Sequence, residues 1–320
     1  MRLCEHPDFE QAILRASDHF RSRGLRPALV EKDYYVTEAL RLIAAAVGDK
    51  VIFKGGTSLS KGWNLIRRFS EDIDIFLDPL AFEPELRGRA IDRALKRLRD
   101  SVGQHPALTF LKEESRTTGG FGRSDRFSYE QRFGGVGEVA GQVLVEAGIA
   151  SGRQPTETIA LASYLATFLG ETGVSLEADD ETAFPMRLLH FRRTFVEKLF
   201  AIHGKVELLK RDGRPVGTYA RHYYDLALLA VEPEVGAMLE SEEYEAIKAD
   251  YDEISRAHFS GSYFAPADMS FAQSDAIFPT GDLADTLGRE YETQCTSLCL
   301  GPYPPWPEVL ARFEQLRDRL

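Results

Sequence analysis

Residues 53–76 constrain the fold of this chain more than any other stretch, and their sequence is FKGGTSLSKGWNLIRRFSEDIDIF. A short apolar run ends at the pair Gly55 and Gly56, which is typical of a tight turn. Apolar side chains then recur at helical spacing over residues 57–66, and residues 72–77 alternate between acidic and apolar. The pattern predicts a strand, a glycine turn, a short helix and a second strand.

The second strand places Asp72 and Asp74 on one face, and Ile73 and Ile75 on the other. Two neighbouring carboxylates repel each other unless a cation lies between them. Mg²⁺ fits this need because it binds oxygen ligands together with substrate phosphates, and Mn²⁺ has similar preferences. The glycine turn and the helix start offer backbone N–H groups and partial positive charge, which suit a triphosphate. The sequence therefore predicts a site for a metal ion and an NTP.

This arrangement resembles the first motif of the DNA polymerase β-like nucleotidyltransferase superfamily. The longer string KGGTSLSKGW…RFSEDIDI resembles the AbiEii/AbiGii toxin family, which includes toxins of toxin–antitoxin and phage-defence systems. The resemblance implies an α+β fold, in which a nucleotidyltransferase lobe with a small mixed sheet precedes a mainly helical C-terminal lobe. It assigns binding of the β- and γ-phosphates to a group of residues that follows the first strand: Gly55, Gly56, Thr57 and Ser58, with Lys61 as a further candidate.

A third carboxylate is predicted on a later strand. Residues 142–149 are strand-like, and Glu146 is the one acid among their apolar residues. The superfamily places a carboxylate on such a strand, where it helps to hold the metal and orients or deprotonates the attacking hydroxyl. The alternative is a charge at a strand end that faces water. Other strands of this region are predicted at residues 108–114 and 127–133, with glycine turns at 119–122 and 134–137.

A lysine in the second half of the chain is predicted to face the nucleotide. The sequence RTFVEKLFAIH around Lys198 resembles the second family motif. A positive charge there would stabilise the leaving pyrophosphate. Thr194 and Glu197 match a capping box and predict that the helix begins at Thr194. The alternative for Lys198 is an ordinary solvated lysine on a helix.

The segment HYYDLALL resembles the third family motif, in which an aspartate near the start of a helix belongs to the active site. This aspartate is Asp225. It is predicted to orient Lys198 or to contact the base or ribose. A structural ion pair with Arg221, one helical turn earlier, is the alternative and is compatible with either role.

Ser70 lies two residues before the first metal-binding aspartate. A phosphate on Ser70 would add about 1.5 to 2 negative charges beside the carboxylates and should oppose NTP binding. We therefore hypothesise that modification of Ser70 inactivates the protein. The alternative is a serine that only ends a loop.

Charge is unevenly distributed along the chain, whose formal net charge is −11. Residues 232–320 hold 18 acids and 6 bases, whereas the first 231 residues hold 32 acids and 33 bases. Residues 187–221 form a basic belt with nine Lys or Arg and three acids. Such a belt suits the phosphates of RNA, and the acidic region could mask it or serve another partner. The length of 320 residues is enough for two domains or one large one, and a change from strand-like to helical patterns near residues 151–155 predicts two, at residues 1–152 and 153–320.

The predicted activity is Mg²⁺-dependent transfer of an NMP from an NTP to an acceptor hydroxyl, with release of pyrophosphate. RNA, in particular the 3′ end of tRNA, is the first candidate acceptor. Nucleotidylation of a protein or a small molecule, and a silent module that binds RNA or protein, are the alternatives. The family also implies a partner antitoxin. Apolar stretches too short to span a bilayer, the absence of a signal peptide and only three cysteines predict a cytoplasmic protein without a membrane partner.

Overall fold

The computed structural model describes residues 1–70, 72–134 and 140–320. The helices are α1 Phe9–His19, α2 Pro27–Val47, α3 Gly55–Lys61, α4 Arg89–Val102, α5 Tyr164–Thr172, α6 Phe191–Asp212, α7 Arg221–Leu229, α8 Pro233–Leu239, α9 Glu242–Phe259, α10 Gly281–Leu298 and α11 Trp306–Glu314. The strands are β1 Val51–Lys54, β2 Asp72–Leu77, β3 Thr109–Phe110, β4 Arg116–Thr118, β5 Gly122–Ser128, β6 Gln142–Gly148, β7 Thr156–Leu161 and β8 Phe184–Leu189. The glycine turn predicted at 134–137 lies outside the described residues except for its first position.

The described strands form one mixed sheet with the order β3-β5-β6-β2-β1-β8-β7, and β4 pairs with β5. β2 runs parallel to β6, and β1 runs parallel to β8. β1 is antiparallel to β2, and β5 is antiparallel to β3, β4 and β6. The predicted α+β class with a mixed sheet is confirmed. The strand predicted at 108–114 is limited to the two residues of β3, and the one predicted at 127–133 lies earlier, as β5.

Internal contacts divide the chain into two compact units. The first unit consists of Met1–Gly62, Ser70–Ile149 and Thr156–Leu188, and the second of Trp63–Phe69, Ala150–Pro155 and Leu189–Leu320. This division differs from the predicted one at residue 152. The reason is that the sheet continues beyond that point, because β8 pairs with β1 through Leu188 and Phe53.

The two faces of the sheet in the first unit have different chemistry. Ile73 and Val145 point to the buried face, whereas Asp72, Asp74 and Glu146 point to the other face, which we call the carboxylate face. α2 and α4 pack against β6, and α4 also packs against β5. The apolar residues at every second position of β2 and β6 are thereby covered, which explains why these strands alternate.

Charged residues of α2 fix the segment that leads into β6. The buried Glu31 carboxylate accepts the backbone N–H groups of Arg132 and Phe133 at 2.9 and 3.2 Å. The neighbouring Lys32 ammonium donates to the backbone carbonyl of Gln142, the first residue of β6. Because both charges are buried and satisfied, they hold the start of β6 and thus the register of Glu146.

The long helix of the second unit, α6, begins at Phe191, three residues before the predicted start at Thr194. The capping-box prediction was wrong because His190 takes the capping role: its Nδ1 accepts the backbone N–H two residues later. Glu197 does not cap the helix but accepts from Arg193 Nε at 3.0 Å. Within the described part of the chain, no helix has the length and apolar character needed to cross a membrane.

Candidate active site

Rows of paired residues cross the carboxylate face of the first unit. Asp74 is the register partner of Glu146 on β6 and of Lys54 on β1. Asp72 is the partner of Leu144, one row away. Paired residues of neighbouring strands lie on the same face, about 4.8 Å apart. The three predicted carboxylates therefore lie together, with a lysine in the same row.

Gly55, the first residue of α3, is required by the position of Asp74. Its φ of +79° is unfavourable for other residues, and a Cβ atom there would lie 2.0 Å from Asp74 Oδ2. The carboxylate of Asp74 thus passes directly over the backbone at the glycine turn. The short distance between the Asp74 carboxylate and the start of α3 is the geometric reason for glycine at position 55.

The pKa of Glu146 is raised, first by partial desolvation and then by the carboxylates of Asp74 and Asp72. The hydroxyl of Ser124 on β5 donates to Glu146 Oε1 at 2.9 Å and opposes this shift, as does the charge of Lys54. Desolvation is thus the larger cause of the raised pKa of Glu146, and the negative charge of the neighbouring carboxylates adds to it. A raised pKa lets Glu146 accept a proton more readily than an ordinary glutamate does.

The oxygen donors on this face suit Mg²⁺. Among the described residues, no three His, Cys, Asp or Glu side chains are gathered closely enough to hold a metal by themselves. This is compatible with Mg²⁺, which proteins commonly bind through one or two carboxylates plus substrate phosphates. Asp72 and Asp74 can supply the two carboxylates, and Glu146 lies in the neighbouring strand. A role of all three as ligands stays a prediction.

Thr57 and Ser58 are buried, and their hydroxyls are engaged within the first unit. Thr57 Oγ1 donates to the backbone carbonyl of Asp72 at 2.5 Å, and Ser58 Oγ donates to that of Gly55 at 2.9 Å. Both residues therefore fasten α3 to β2 and to the glycine turn. Their backbone N–H groups, rather than their hydroxyls, are the groups suited to phosphate, and phosphate binding stays a prediction.

Lys61 ends α3 in a buried ion pair. Its Nζ lies 2.6 Å from Asp33 Oδ1 and donates to the backbone carbonyl of Ala162 at 3.0 Å. The second oxygen of Asp33 accepts the backbone N–H of Tyr164 at 2.8 Å, at the start of α5. The Lys61 charge is thus committed to joining α2, α3 and α5. Its predicted contact with phosphate stays a prediction that this geometry does not favour.

Lys198 and Asp225 meet in the interior of the second unit. Lys198 Nζ lies 2.8 Å from Asp225 Oδ2, and Arg68 donates to the two oxygens of the same carboxylate at 2.7 and 2.8 Å. The exposed fractions are 5% for Lys198, 0% for Asp225 and 3% for Arg68. His222 Nδ1 lies 3.1 Å from Lys198 Nζ. We call these four residues the buried cluster.

The pKa values in the buried cluster follow from these contacts. Burial alone would raise the pKa of Asp225, but Arg68 and Lys198 hold it well below its usual range. Burial lowers the pKa of Lys198, against the attraction of Asp225. Burial and Lys198 lower the pKa of His222 to about 3, so its imidazole is neutral and can accept from the ammonium. With both cations charged, two positive groups face one carboxylate, and the cluster keeps a net positive charge.

Sequence reasoning missed Arg68, the bidentate partner of Asp225. Arg68 lies in the string RFSED that carries the family resemblance, but its spacing from Asp225 gives no hint of contact. The alternative predicted partner of Asp225 was Arg221; the structure gives both carboxylate oxygens to Arg68, with Lys198 on one of them. Lys54 and Ser124 were also missed, because only strand register brings them to the carboxylates.

Three of the nine basic residues in the belt of residues 187–221 form ion pairs with the acidic region that follows it. In the second unit, Arg192 pairs with Glu234 and Glu243, at 2.6 and 3.2 Å. Two more belt residues bind acids from 232–320: Arg193 pairs with Asp250 at 2.5 Å and Lys210 with Asp275 at 2.8 Å. The acidic region therefore masks part of the belt, which was one of the two predicted roles. The belt gives correspondingly less support to RNA as acceptor.

Comparisons with known proteins identify the family of this chain. No curated protein sequence matches the chain. A crystal structure described as a nucleotidyltransferase from H. pylori is similar, with 14% identity, a TM-score of 0.46 and coverage of 89% of this chain and 94% of its own. MenT4, a nucleotidyltransferase toxin from Mycobacterium tuberculosis H37Rv, has 13% identity, a TM-score of 0.47 and coverage of 97% and 95%. A family model matches residues 39–312, and the chain therefore belongs to the nucleotidyl transferase AbiEii toxin family of Type IV toxin–antitoxin systems.

Proposed function

We propose that this protein transfers an NMP from an NTP to an acceptor hydroxyl and releases pyrophosphate. The observation that carries the proposal is the register of the carboxylate face, where Asp74 and Glu146 are direct partners and Asp74 passes over Gly55. Carboxylates thus adjoin a helix start whose backbone N–H groups suit phosphates. The family membership supports nucleotidyl transfer as the reaction class.

In this proposal Asp72 and Asp74 hold Mg²⁺, with Mn²⁺ as a possible replacement. The bound ion would lower the pKa of the acceptor hydroxyl and neutralise charge on the phosphates. Glu146 would orient that hydroxyl and accept its proton, and its raised pKa and its position beside Asp74 support this role. The backbone at residues 55–58 binds the β- and γ-phosphates.

Lys198 is proposed to stabilise the charge that develops on the leaving pyrophosphate. Asp225 holds the ammonium at 2.8 Å, and Arg68 holds Asp225. With Lys198 and Arg68 both charged, the buried cluster has a net positive charge, which supports an interaction with an anion. Arg68 and Asp225 then act as positioning residues, because they work through Lys198.

We propose RNA, in particular the 3′ end of tRNA, as the acceptor. The family's description as a nucleotidyl transferase toxin supports a target within the cell. We also propose a cognate antitoxin as partner, the cytoplasm as the place of action, and inactivation by phosphorylation of Ser70. Ser70 is half-buried in the first unit and precedes Asp72 by two residues, so a phosphate there would add charge beside the metal site.

A labelling experiment tests the proposal. The purified protein is mixed with Mg²⁺, each of four α-labelled NTPs in turn and total bacterial RNA. Asp72→Ala and Lys198→Ala are the test variants, and Asp100→Ala and Lys96→Ala are controls that remove the same charges from exposed positions. Label in small RNA from wild type and controls, but not from the test variants, supports the proposal.

Other outcomes of the same experiment distinguish the alternatives. Label on the protein itself, without label in RNA, would replace RNA by a protein acceptor. Turnover without RNA or protein acceptor would indicate a small molecule. Mg²⁺-dependent NTP binding without any transfer, with RNA binding that survives Asp74→Ala, would point to a silent binding module.

A further inference from the structure

The rows of the carboxylate face continue from the carboxylates across β5 to β4. Ser124 is the register partner of Glu146, and Arg116 on β4 is the partner of Ser124. In the neighbouring row, Arg126 is the partner of Leu144, which is itself the partner of Asp72. Register partners share a sheet face. Arg116 and Arg126 therefore lie on the same face as the three carboxylates.

The guanidinium groups of Arg116 and Arg126 have no ion pair or hydrogen bond with any other residue that the structure describes. Arg116 is exposed and Arg126 is half-buried. Arg123, on the same strand but on the opposite face, behaves differently: it is buried and binds both oxygens of Asp125 at 2.8 and 2.7 Å. The strand thus satisfies one arginine internally and leaves another available on the carboxylate face.

The position of these arginines separates them from the predicted triphosphate site. The glycine turn adjoins β1 and β2, whereas Arg126 and Arg116 lie on the far side of β6. At about 4.8 Å per strand, Arg126 is about 10 Å from Asp72 and Arg116 about 14 Å from Asp74 along the sheet. Glu146, the group placed to receive the hydroxyl proton, lies between them and the glycine turn.

We propose that Arg116 and Arg126 bind backbone phosphates of the acceptor RNA strand and lead its 3′-hydroxyl to Asp74 and Glu146. This inference rests on the proposed function, in particular on RNA as acceptor. Guanidinium groups form paired, charge-assisted hydrogen bonds with phosphate, and such contacts position a strand without reading its sequence. The hydroxyl arrives from the β6 side, while the NTP phosphates lie at the glycine turn.

The outer surface of α4 is a competing basic surface in the same unit. Arg89, Arg93 and Arg97 are exposed at intervals of four residues and therefore form a line. α4, however, packs on the other side of the sheet, where its Asp92 attracts Arg123. A strand bound along α4 would be separated from the carboxylates by the sheet itself. The α4 arginines therefore supply a matched control.

The test is the binding of a short, fluorescently labelled single-stranded RNA with a free 3′-hydroxyl, measured over a series of salt concentrations. The double variant Arg116→Gln/Arg126→Gln is compared with Arg93→Gln/Arg97→Gln, which removes the same charge from α4. We expect the first variant to bind RNA roughly a hundredfold more weakly, about tenfold per arginine. The slope of the logarithm of its RNA-binding constant against the logarithm of the salt concentration should decrease in magnitude by about 0.7 per lost phosphate contact. The control should bind like wild type.

Kinetics separates phosphate binding from a structural effect. In the transfer assay, Arg116→Gln/Arg126→Gln should raise the KM for RNA. It should leave kcat and the KM for NTP unchanged, because the contact with phosphate is equally strong in the ground state and the transition state. Arg116→Lys/Arg126→Lys should restore most of the RNA affinity. A rise in the KM for NTP instead would assign the arginines to the triphosphate and overturn the inference.

The remaining outcomes are also decisive. Normal RNA binding by Arg116→Gln/Arg126→Gln would overturn the inference, as would a loss confined to Arg93→Gln/Arg97→Gln. If wild type binds NTP but no RNA, and label appears on protein, both the inference and the proposal of RNA as the acceptor are wrong. If wild type labels RNA and Arg116→Gln/Arg126→Gln has the same RNA affinity as wild type, the inference fails while the proposed function stands.

Discussion

The carboxylate face of the first unit and the buried cluster of the second unit arrange their charges in opposite ways. On the carboxylate face, like charges lie side by side at the surface, and the pKa of Glu146 is raised. In the buried cluster, opposite charges lie together away from water, and the pKa of Asp225 is well below its usual range. The first region gathers charges of one sign, whereas the second pairs charges of opposite sign with one another.

This difference predicts which substitutions should affect activity alone and which should also affect stability. Like charges held together cost free energy, so their removal should not weaken the folded unit. A buried carboxylate between two cations is different, because its removal leaves positive charge without compensation in the interior. Substitutions on the carboxylate face should therefore affect activity, and substitutions in the buried cluster should affect stability as well.

The largest effect is expected from Asp74→Asn, on activity alone. Loss of the charge that faces Glu146 and the predicted metal should reduce transfer by at least about 1,000-fold, equivalent to about 4 kcal/mol. The free energy of unfolding should stay within about 0.5 kcal/mol of wild type, since like-charge repulsion is relieved. Transfer rates and urea unfolding of the same preparation check both parts. A large loss of stability would contradict the contrast drawn between the two regions.

The next largest effect is expected from Asp225→Asn, on stability. Arg68 and Lys198 would remain buried without their carboxylate, which should cost about 3 to 5 kcal/mol. Both tryptophans of the chain, Trp63 and Trp306, belong to the second unit, so their fluorescence during urea unfolding reports on this unit. Unfolding of Asp225→Asn with the wild-type midpoint and slope would show that the cluster adds nothing to stability.

Acidification should weaken the second unit, and His222 should contribute to this. Its pKa is lowered from 6.5 to about 3, so between these values the unfolded chain binds a proton that the folded unit does not. The free energy of unfolding therefore rises with pH across this range, by at most about 1.4 kcal/mol per pH unit for one proton. Urea unfolding detected by tryptophan fluorescence at several pH values should show that the free energy of unfolding depends less steeply on pH in His222→Asn than in wild type. An identical slope would show that His222 is protonated in the folded unit.

Asp225 acts in the same direction at lower pH. Its pKa in the folded unit is below the usual value of 3.8, so its contribution is complete above that value and declines as the pH falls further. His190 and His203 of the same unit also have lowered pKa values, mainly because of burial. The contribution of His222 is therefore identified by the difference between wild type and His222→Asn, not by the slope of wild type alone.

The parts of this site that follow from local sequence were predictable, and the parts that follow from strand register were not. Asp72 and Asp74 share a face because strand side chains alternate, and Gly55 is explained by the turn. Whether Glu146 stands beside Asp74 depends on the register of two strands that are far apart in the sequence. That register is fixed by buried contacts, such as Lys32 to the start of β6, which no periodicity reveals.

The buried cluster shows the same limit for helices. The resemblance pointed to Lys198 and Asp225, but neither its motifs nor their spacing pointed to Arg68, the bidentate partner. The sequence patterns also did not show where the sheet ends. β7 and β8 follow the predicted domain border at residue 152 and still join the sheet of the first unit. Local patterns identify which residues carry chemistry, and long-range packing decides their partners.

The smallest effect, and the finest test of the comparison, is expected from Ser124→Ala. Its hydroxyl is the neutral donor that holds Glu146 Oε1 at 2.9 Å on a face otherwise dominated by carboxylates. Loss of one such hydrogen bond should reduce kcat by several-fold, about 1 kcal/mol, without changing the urea midpoint of the protein. Ser128→Ala, on the same strand and face, is the matched control, because Ser128 pairs with Gln142 rather than with a carboxylate. If both variants lose kcat equally, the effect belongs to the strand as a whole. If only Ser124→Ala loses kcat, a single oriented carboxylate is part of the chemistry, and the carboxylate face depends on orientation as well as on charge.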